Sequence, residues 1–227
     1  MNDLTILYYS ANLVPQKFMN RIQEQIVKAA PDTEIISITQ KPINFGRNIC
    51  VGQIGVSSYN VYKQILLGAK NAITEYVAMA EDDALYPVDH FSYRPQGETF
   101  AYNVNKWSIF TWKKDPIMSY RERRTMVGLI VNRIALIRTL EERFKKYPDP
   151  NNIPAPYFGE PGRHENHLGI TPLTNERFKS PTPILVFCHT ESISFNSYLG
   201  SRKAHSKVRA LEVAPWGKAE DLLKLYV

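Results

Sequence analysis

Residues 76–87 read Tyr-Val-Ala-Met-Ala-Glu-Asp-Asp-Ala-Leu-Tyr-Pro. Five mostly apolar residues run into three consecutive carboxylates, Glu81, Asp82 and Asp83, followed by an apolar pair and a turn-forming proline. A short apolar run bounded by a turn signal predicts a buried strand of the kind found in parallel sheets. Its acidic end then falls at the carboxyl edge of the sheet, where open α/β folds take their ligands. Three adjacent carboxylates repel one another and add little to folding. A divalent cation would relieve that repulsion, since hard oxygen ligands suit Mg²⁺ or Mn²⁺. A solvated acidic turn is the plainer reading of the same triplet.

The flanks place this stretch in an α/β pattern. Residues 4–9 are β-branched and aromatic, a first strand that ends in the small polar residues Ser10, Ala11 and Asn12. Pro15 suits the first turn of a helix to about residue 30, with Phe18, Ile22, Ile26 and Ala29 on one face. Residues 34–39 alternate as a second strand. The loop at 43–48 follows, where Gly46, Arg47 and Asn48 could meet a base or phosphate or simply make a turn. Ser57 or Ser58 caps a second helix with Val61, Ile65, Leu66, Ala69 and Ile73 as its stripe. The first 83 residues therefore read β-α-β-loop-α-β, the layout of a nucleotide-binding parallel sheet. Neither Gly-x-Gly-x-x-Gly nor a Gly-Lys-Ser/Thr loop follows a strand, which argues against dinucleotide oxidoreductases and P-loop hydrolases.

Beyond Pro87 the texture changes. Residues 100–104 and 107–112 read as two strands of a hairpin turning at Asn105-Lys106. A helix is expected over about 125–146, then a long Pro/Asn/Gly loop at 147–162, a candidate lid. Residues 183–188 form another buried strand that delivers His189 at its end, and a short amphipathic helix closes the chain near 218–225.

Composition sets the bounds. The 227 residues, 44% hydrophobic and 22% charged, suit one globular domain, with residues 1–90 and 91–227 as two functional halves. No apolar run approaches the roughly 18 residues of a membrane span. No secretory signal is visible at the start, and Cys50 and Cys188 fit buried reduced thiols, so a cytoplasmic protein is expected. The net charge of +6 permits a polyanionic partner without demanding one. Basic residues cluster at Arg121, Arg123 and Arg124, at Arg143, Lys145 and Lys146, and at Arg202, Lys203, Lys207 and Arg209.

Three features converge: Glu81-x-Asp83 after a central strand, Gly162-Arg163-His164-Glu165-Asn166-His167 in a later loop, and His189 at the end of a late strand. This order resembles the GT-A glycosyltransferases and, more loosely, the small glycosyltransferase-like proteins of bacteriophages. The resemblance implies a single Rossmann-like α/β domain with a mostly parallel central sheet flanked by helices. It also implies an Asp-x-Asp site in which a divalent metal, Mn²⁺ or Mg²⁺, meets the diphosphate of a nucleotide sugar such as a UDP-sugar. Asp83 is then the best metal ligand, with Glu81 in the place of the usual Asp, Asp82 as a rival and His189 completing the set. The base that activates an acceptor hydroxyl falls at Glu165, with Glu160 second, although Asn166 stands where the pattern has Asp. Ser10, Asn12, Arg47, Asn48, Glu81, Arg202 and Lys203 are expected at the donor, and Asn103, Asn105, Trp107 and His164 at the acceptor. Trp107 and Trp112 suit stacking, or plain packing.

A metal-dependent glycosyltransferase is therefore the leading expectation. Its suggested acceptor is 5-hydroxymethylcytosine in DNA, which would need cations for phosphates and a cleft for a flipped base; a glycan or other small acceptor is the alternative. A metal-dependent hydrolase or nuclease using the acidic triplet with His164 and His167, or a non-catalytic nucleotide-sugar-binding module, are the rivals.

Overall fold

A computed structural model describes residues 3–192 and 206–226. Its first half runs β1 (Leu4–Ser10), α1 (Gln16–Ala29), β2 (Glu34–Thr39), β3 (Arg47–Cys50), α2 (Ser58–Asn71), β4 (Tyr76–Glu81) and β5 (Ala84–Leu85). It continues through α3 (Val88–Phe91), β6 (Phe100–Asn103), β7 (Lys106–Phe110), β8 (Met118–Tyr120), β9 (Leu129–Asn132) and α4 (Arg133–Lys146). The described remainder holds α5 (Glu165–Leu168), β10 (Asn175–Phe178), β11 (Ile184–Cys188), β12 (Arg209–Ala210), β13 (Glu212–Val213), β14 (Gly217–Lys218) and α6 (Ala219–Tyr226).

The expected mixed α/β architecture is present. A seven-stranded sheet has the order β10-β6-β9-β4-β1-β2-β3, and every strand in it runs one way except β9. A second sheet, β12-β8-β7-β11-β5, lies beside it, and β13 pairs with β14. Strand alternation sorts the core into two layers. Ile6 and Tyr8 of β1 with Ala78 and Ala80 of β4 pack on the α1 side, with Phe18, Ile22 and Ile26. Leu7 and Tyr9 with Val77 and Met79 pack on the other side, under α2 and α4. The second sheet joins the α1 layer through Ile109, Met118, Leu185 and Phe187, so the turn after β4 is where the two sheets meet.

Local signals placed α1 and α2 where they stand. Ser57 caps α2 by accepting from Asn60 N at 3.1 Å, and Asn132 caps α4 by accepting from the amides of Ile134 and Ala135. Five expectations need correcting. Residues 100–112 form no hairpin: β6 pairs with β9 and β10 in the large sheet, and β7 with β8 and β11 in the small one. The helix expected from 125 begins only at Arg133; Leu129-Ile130-Val131 is a strand buried on both faces, whose continuous apolar run cannot be told from a buried helix by periodicity. The 147–162 loop is no lid, since buried Phe158 is clasped among Tyr59, Tyr62 and Tyr147 and the Tyr147 hydroxyl donates to Leu168 O. Cys50 is exposed at the end of an edge strand, and Ile73 lies beyond the end of α2, 88% exposed.

Buried His90 on α3 yields a stability prediction. Its ring lies between Tyr86 and Phe178, Nδ1 is 3.3 Å from Asn103 Nδ2, and Nε2 has no partner. Burial, aided by the nearby Lys106 charge, pushes its pKa down to about 3. The unfolded chain binds this proton below about pH 6.5 while the folded chain refuses it until about 3. Stability from this group is therefore complete above pH 6.5 and lost as the pH falls through that window. At pH 5 the expected loss is about 2 kcal/mol relative to pH 7.5. Denaturant unfolding at the two pH values should show this loss in the wild type and a smaller one in His90→Phe; equal losses would refute the assignment.

Candidate active site at the carboxyl edge

β4 brings Glu81, Asp82 and Asp83 to the carboxyl edge of the parallel strands, beside the tip of β1. Each carboxylate is held differently. Glu81 accepts from Tyr9 OH at 2.5 Å, and its amide donates to Tyr86 OH at 2.9 Å. Asp82 accepts from Ser10 Oγ, which in turn accepts from the Asn12 amide at 2.7 Å. The Asp83 backbone oxygen accepts from Phe187 N at 2.7 Å, stitching the turn to β11. Asp83 Oδ2 stands 3.5 Å from His189 Nε2, while Asp83 Oδ1 is buried without any hydrogen-bond partner.

The electrostatics follow from this crowding. Burial first, and the Asp83 charge second, push Asp82 up to about 6, against the opposing pull of Ser10 and His189. Burial would make His189 a weaker base, but Asp83 on Nε2 and Glu191, 3.1 Å from Nδ1, outweigh it and raise the group to about 9. With a carboxylate at each nitrogen the ring is an imidazolium at neutral pH. Tyr226 stacks on it at 6.0 Å.

A divalent cation fits the chemistry of this turn. Asp83 Oδ1 is an ionisable oxygen with unused lone pairs, and Asp82 is a second carboxylate whose charge a cation would stabilise. Among the described residues no group of three or more His, Cys, Asp or Glu side chains is placed to hold a metal ion.

The other expected site residues divide sharply. Ser10 and Asn12 sit at the edge next to the turn. Asn12 holds a positive φ of 57° because its Oδ1 accepts from both Gln40 N and Lys41 N at 2.9 Å. Arg47 is not brought to them: it starts β3 at the opposite edge, bonded to Glu34 and to Asn71 O. Asn48 is spent on structure, donating to Ser37 and Thr39 and accepting from Ile43 N. Arg202 and Lys203 lie outside the described residues.

On the acceptor side, Asn103 is fully buried, tying Ser180, His90 and Asn105 together, and Asn105 donates to Ser180 O. Trp107 packs on Tyr120 with ring centres 5.3 Å apart. By strand alternation it faces away from Lys106 and Ser108, which line a cavity of about 70 Å³ beside Glu81. His164 immediately precedes α5, without a side-chain bond to it, and meets Tyr157 and His167 edge-on. Glu165 is buried, with Oε1 on Arg143 Nη2 at 2.5 Å and on Gly162 N at 2.8 Å, and Oε2 on His164 N at 2.9 Å. Glu160 pairs with Arg163 at 2.7 Å and keeps a side chain 24% exposed. Arg143 is thus an internal ion-pair partner, not part of a basic surface.

Sequence reasoning missed the groups that frame the triplet. Tyr9 and Tyr86 hold Glu81, Glu191 holds His189, and Lys106, Arg121 and Arg123 line the cavity with Glu81. The Arg121–Arg124 cluster was visible as charge. Nothing local tied it to a strand tip 40 residues earlier.

No protein-family description and no curated protein matches the chain. Among solved structures, it is similar to a glycosyltransferase involved in the glycosylation of the major capsid of PBCV-1. That similarity has 11% identity over 90% of this chain and 98% of the other, with a TM-score of 0.46. An active-site mutant of LgtC gives 12% identity over 88% and 94%, with a TM-score of 0.42. The bifunctional IspDF of Campylobacter jejuni gives 9% identity over 79% of this chain and 50% of that one, with a TM-score of 0.41. These TM-scores are low, and what the site can do follows from its own residues.

Proposed function

We propose that the chain transfers a sugar from a nucleotide-sugar donor to an acceptor hydroxyl, with the acidic turn as the donor site. The observation that carries this reading is Asp83 Oδ1, a buried carboxylate oxygen with no partner, beside Asp82 at the carboxyl edge of a parallel sheet. Two crowded carboxylates cost stability, and a site that keeps them does so for a ligand. A divalent cation held by Asp83 and Asp82 would supply Lewis-acid stabilisation of the departing diphosphate. Ser10 orients Asp82 by donating to it, and His189, fixed between Asp83 and Glu191, adds positive charge to the same turn. Tyr9 and Tyr86 hold Glu81 toward the cavity lined by Lys106, Arg121 and Arg123. Those cations suit the developing negative charge of a leaving group or an anionic acceptor. Of the two loop carboxylates, Glu160 is the one exposed enough to take a proton from an acceptor hydroxyl, since Glu165 is enclosed by Arg143 and two backbone amides. A hydroxymethylated base in DNA is the acceptor to test first, on the strength of the basic cleft.

The rival hydrolase needs His164 and His167 at the acidic turn. Among the described residues these histidines join no such cluster. The deciding experiment is nucleoside diphosphate release from a panel of nucleotide sugars, UDP-sugars first, with Mn²⁺ or Mg²⁺ and with EDTA. Metal-dependent release from one donor is the expected result. Binding of UDP without release or transfer would point to a non-catalytic module, and no binding at all would refute the donor site.

A further inference from the structure

The loops that follow β1, β2 and β3 are bound into one surface at the carboxyl edge of the large sheet. Asn12 Oδ1 accepts from Gln40 N and Lys41 N, both at 2.9 Å, which ties the loop after β1 to the loop after β2. The Gln40 side chain grips the loop after β3: Nε2 donates to Gly55 O at 2.9 Å and Oε1 accepts from Gly55 N at 3.2 Å. Asn60 of α2 closes the set by donating to Ile54 O and Gly55 O. These bonds hold the backbone and leave the tips outward. Residues 52–56 are all exposed, and a Cβ on Gly52 would meet nothing within 4 Å. Leu13, Ile54 and Val56 are 45%, 37% and 48% exposed. Apolar side chains scattered singly over a surface need no account. Three on the tips of two loops that share one hydrogen-bonded frame do.

The charge carried by these segments has one sign. Residues 4–23 and 35–74 hold Lys17, Arg21, Lys41, Arg47, Lys63 and Lys70, and no Asp or Glu. Arg47 and Lys70 pair with Glu34 and Glu141 toward the opposite edge of the sheet. Lys17 in the first turn of α1, Lys41 beside Gln40 and Lys63 in the second turn of α2 are exposed. They take part in no ion pair among the described residues; Lys63 Nζ lies 4.8 Å from the centre of the Tyr59 ring. Asp149 comes near enough to α2 to join burial in raising the Tyr59 hydroxyl, but its carboxylate is held by Asn151 and Asn152. Projecting apolar tips flanked by lysines suit an anionic lipid surface, where the side chains enter the acyl boundary and the ammoniums meet headgroup phosphates.

We propose that the β1–β3 end of the carboxyl edge is a docking surface for an anionic lipid bilayer. The contact is peripheral, since no helix among the described residues is long and apolar enough to cross a membrane. A nucleic-acid strand would use the lysines but gain nothing from Leu13, Ile54 and Val56. A protein partner would need a hollow matched to two projecting loops, whereas a bilayer yields to them. The acidic turn follows β4, which lies on the other side of β1 from β2 and β3. Docking therefore brings that turn near the bilayer without using its carboxylates. The surface does not rest on the transferase reading.

The test is co-sedimentation of the full chain with vesicles of phosphatidylcholine alone and with about one-third phosphatidylglycerol, at low salt. Binding to the anionic vesicles is expected, and binding about tenfold to a hundredfold weaker to the neutral ones, from three lysines near the surface. Ile54→Ser/Val56→Ser should weaken anionic-vesicle binding by about tenfold or more, because two apolar side chains no longer enter the acyl boundary. Leu13→Ser, on the other loop, should weaken it several-fold and serves alone if the pair fails to fold. Lys41→Gln/Lys63→Gln should remove most of the preference for anionic lipid. No binding to anionic vesicles, undiminished binding by the serine variants, or a dimer in solution that those variants abolish would each overturn the proposal. So would binding of a single-stranded oligonucleotide that is lost with the same apolar side chains. Nucleoside diphosphate release, measured without vesicles, decides the transferase reading: vesicle binding without turnover would leave the docking surface standing and remove that reading.

Discussion

Asp83→Asn is expected to lower nucleotide-sugar turnover by about a hundredfold or more while leaving the thermal midpoint within a few degrees of wild type. The substitution keeps the shape of the side chain and an acceptor oxygen, so the contact near His189 survives in part. What it removes is one of two neighbouring buried charges. Asp82 then loses a source of repulsion that now helps push it up to about 6, and His189 loses part of the pull that raises it to about 9. Those two changes oppose one another for folding. For the donor site they do not cancel, because the buried, unpartnered Oδ1 is the atom that a cation and its bound phosphate would use. Loss of turnover with retained stability is the mark of a functional carboxylate. The discriminating measurements are diphosphate release and divalent-ion binding by calorimetry, beside a melting curve. Wild-type turnover in the variant, or a collapse of the melting curve, would show that Asp83 serves the fold alone.

Glu165→Gln is expected to do the reverse, destabilising the protein before it touches the chemistry. Arg143 and Glu165 are both enclosed, with side chains 0% and 2% exposed. Removing one charge leaves the other buried and unpaired, which costs about 3–5 kcal/mol. In a chain of this size that lowers the midpoint by roughly 10 °C. The Glu165 carboxylate also gathers the amides of Gly162 and His164, so the 160–165 loop should loosen with it. Arg143→Met combined with Glu165→Gln should recover a large part of the loss, because no unpaired charge then remains and Gln can still accept from Gly162 N. A Glu165→Gln protein that melts like wild type yet has lost turnover would restore Glu165 as the base and remove the structural account.

The contrast between these two carboxylates explains what could be read before the structure. Both stood in the sequence as acids near a turn. Asp83 followed an apolar run whose period and length announced a strand, and a strand end has a defined place in an α/β sheet. Glu165 followed a loop of Pro, Gly, Arg and His, and its partner lay 22 residues earlier on the buried face of α4. The same limit applied to 129–132, where an apolar run with no alternation was compatible with either regular structure, and to β6 and β7, whose pairing partners lie far away in the chain. Arg47 was a plausible phosphate ligand by type. Only its register against β2 put it at the wrong end of the sheet.

The linear order of residues was therefore enough for the parallel half of the sheet, its helices and caps, and the acidic turn at its edge, because those features depend on periodicity and neighbours within a few positions. Tertiary structure alone decided which carboxylate keeps an unpartnered oxygen and which is locked in an enclosed ion pair. Those outcomes depend on burial and on partners brought together from distant parts of the chain, and charge type at a single position carries no information about either.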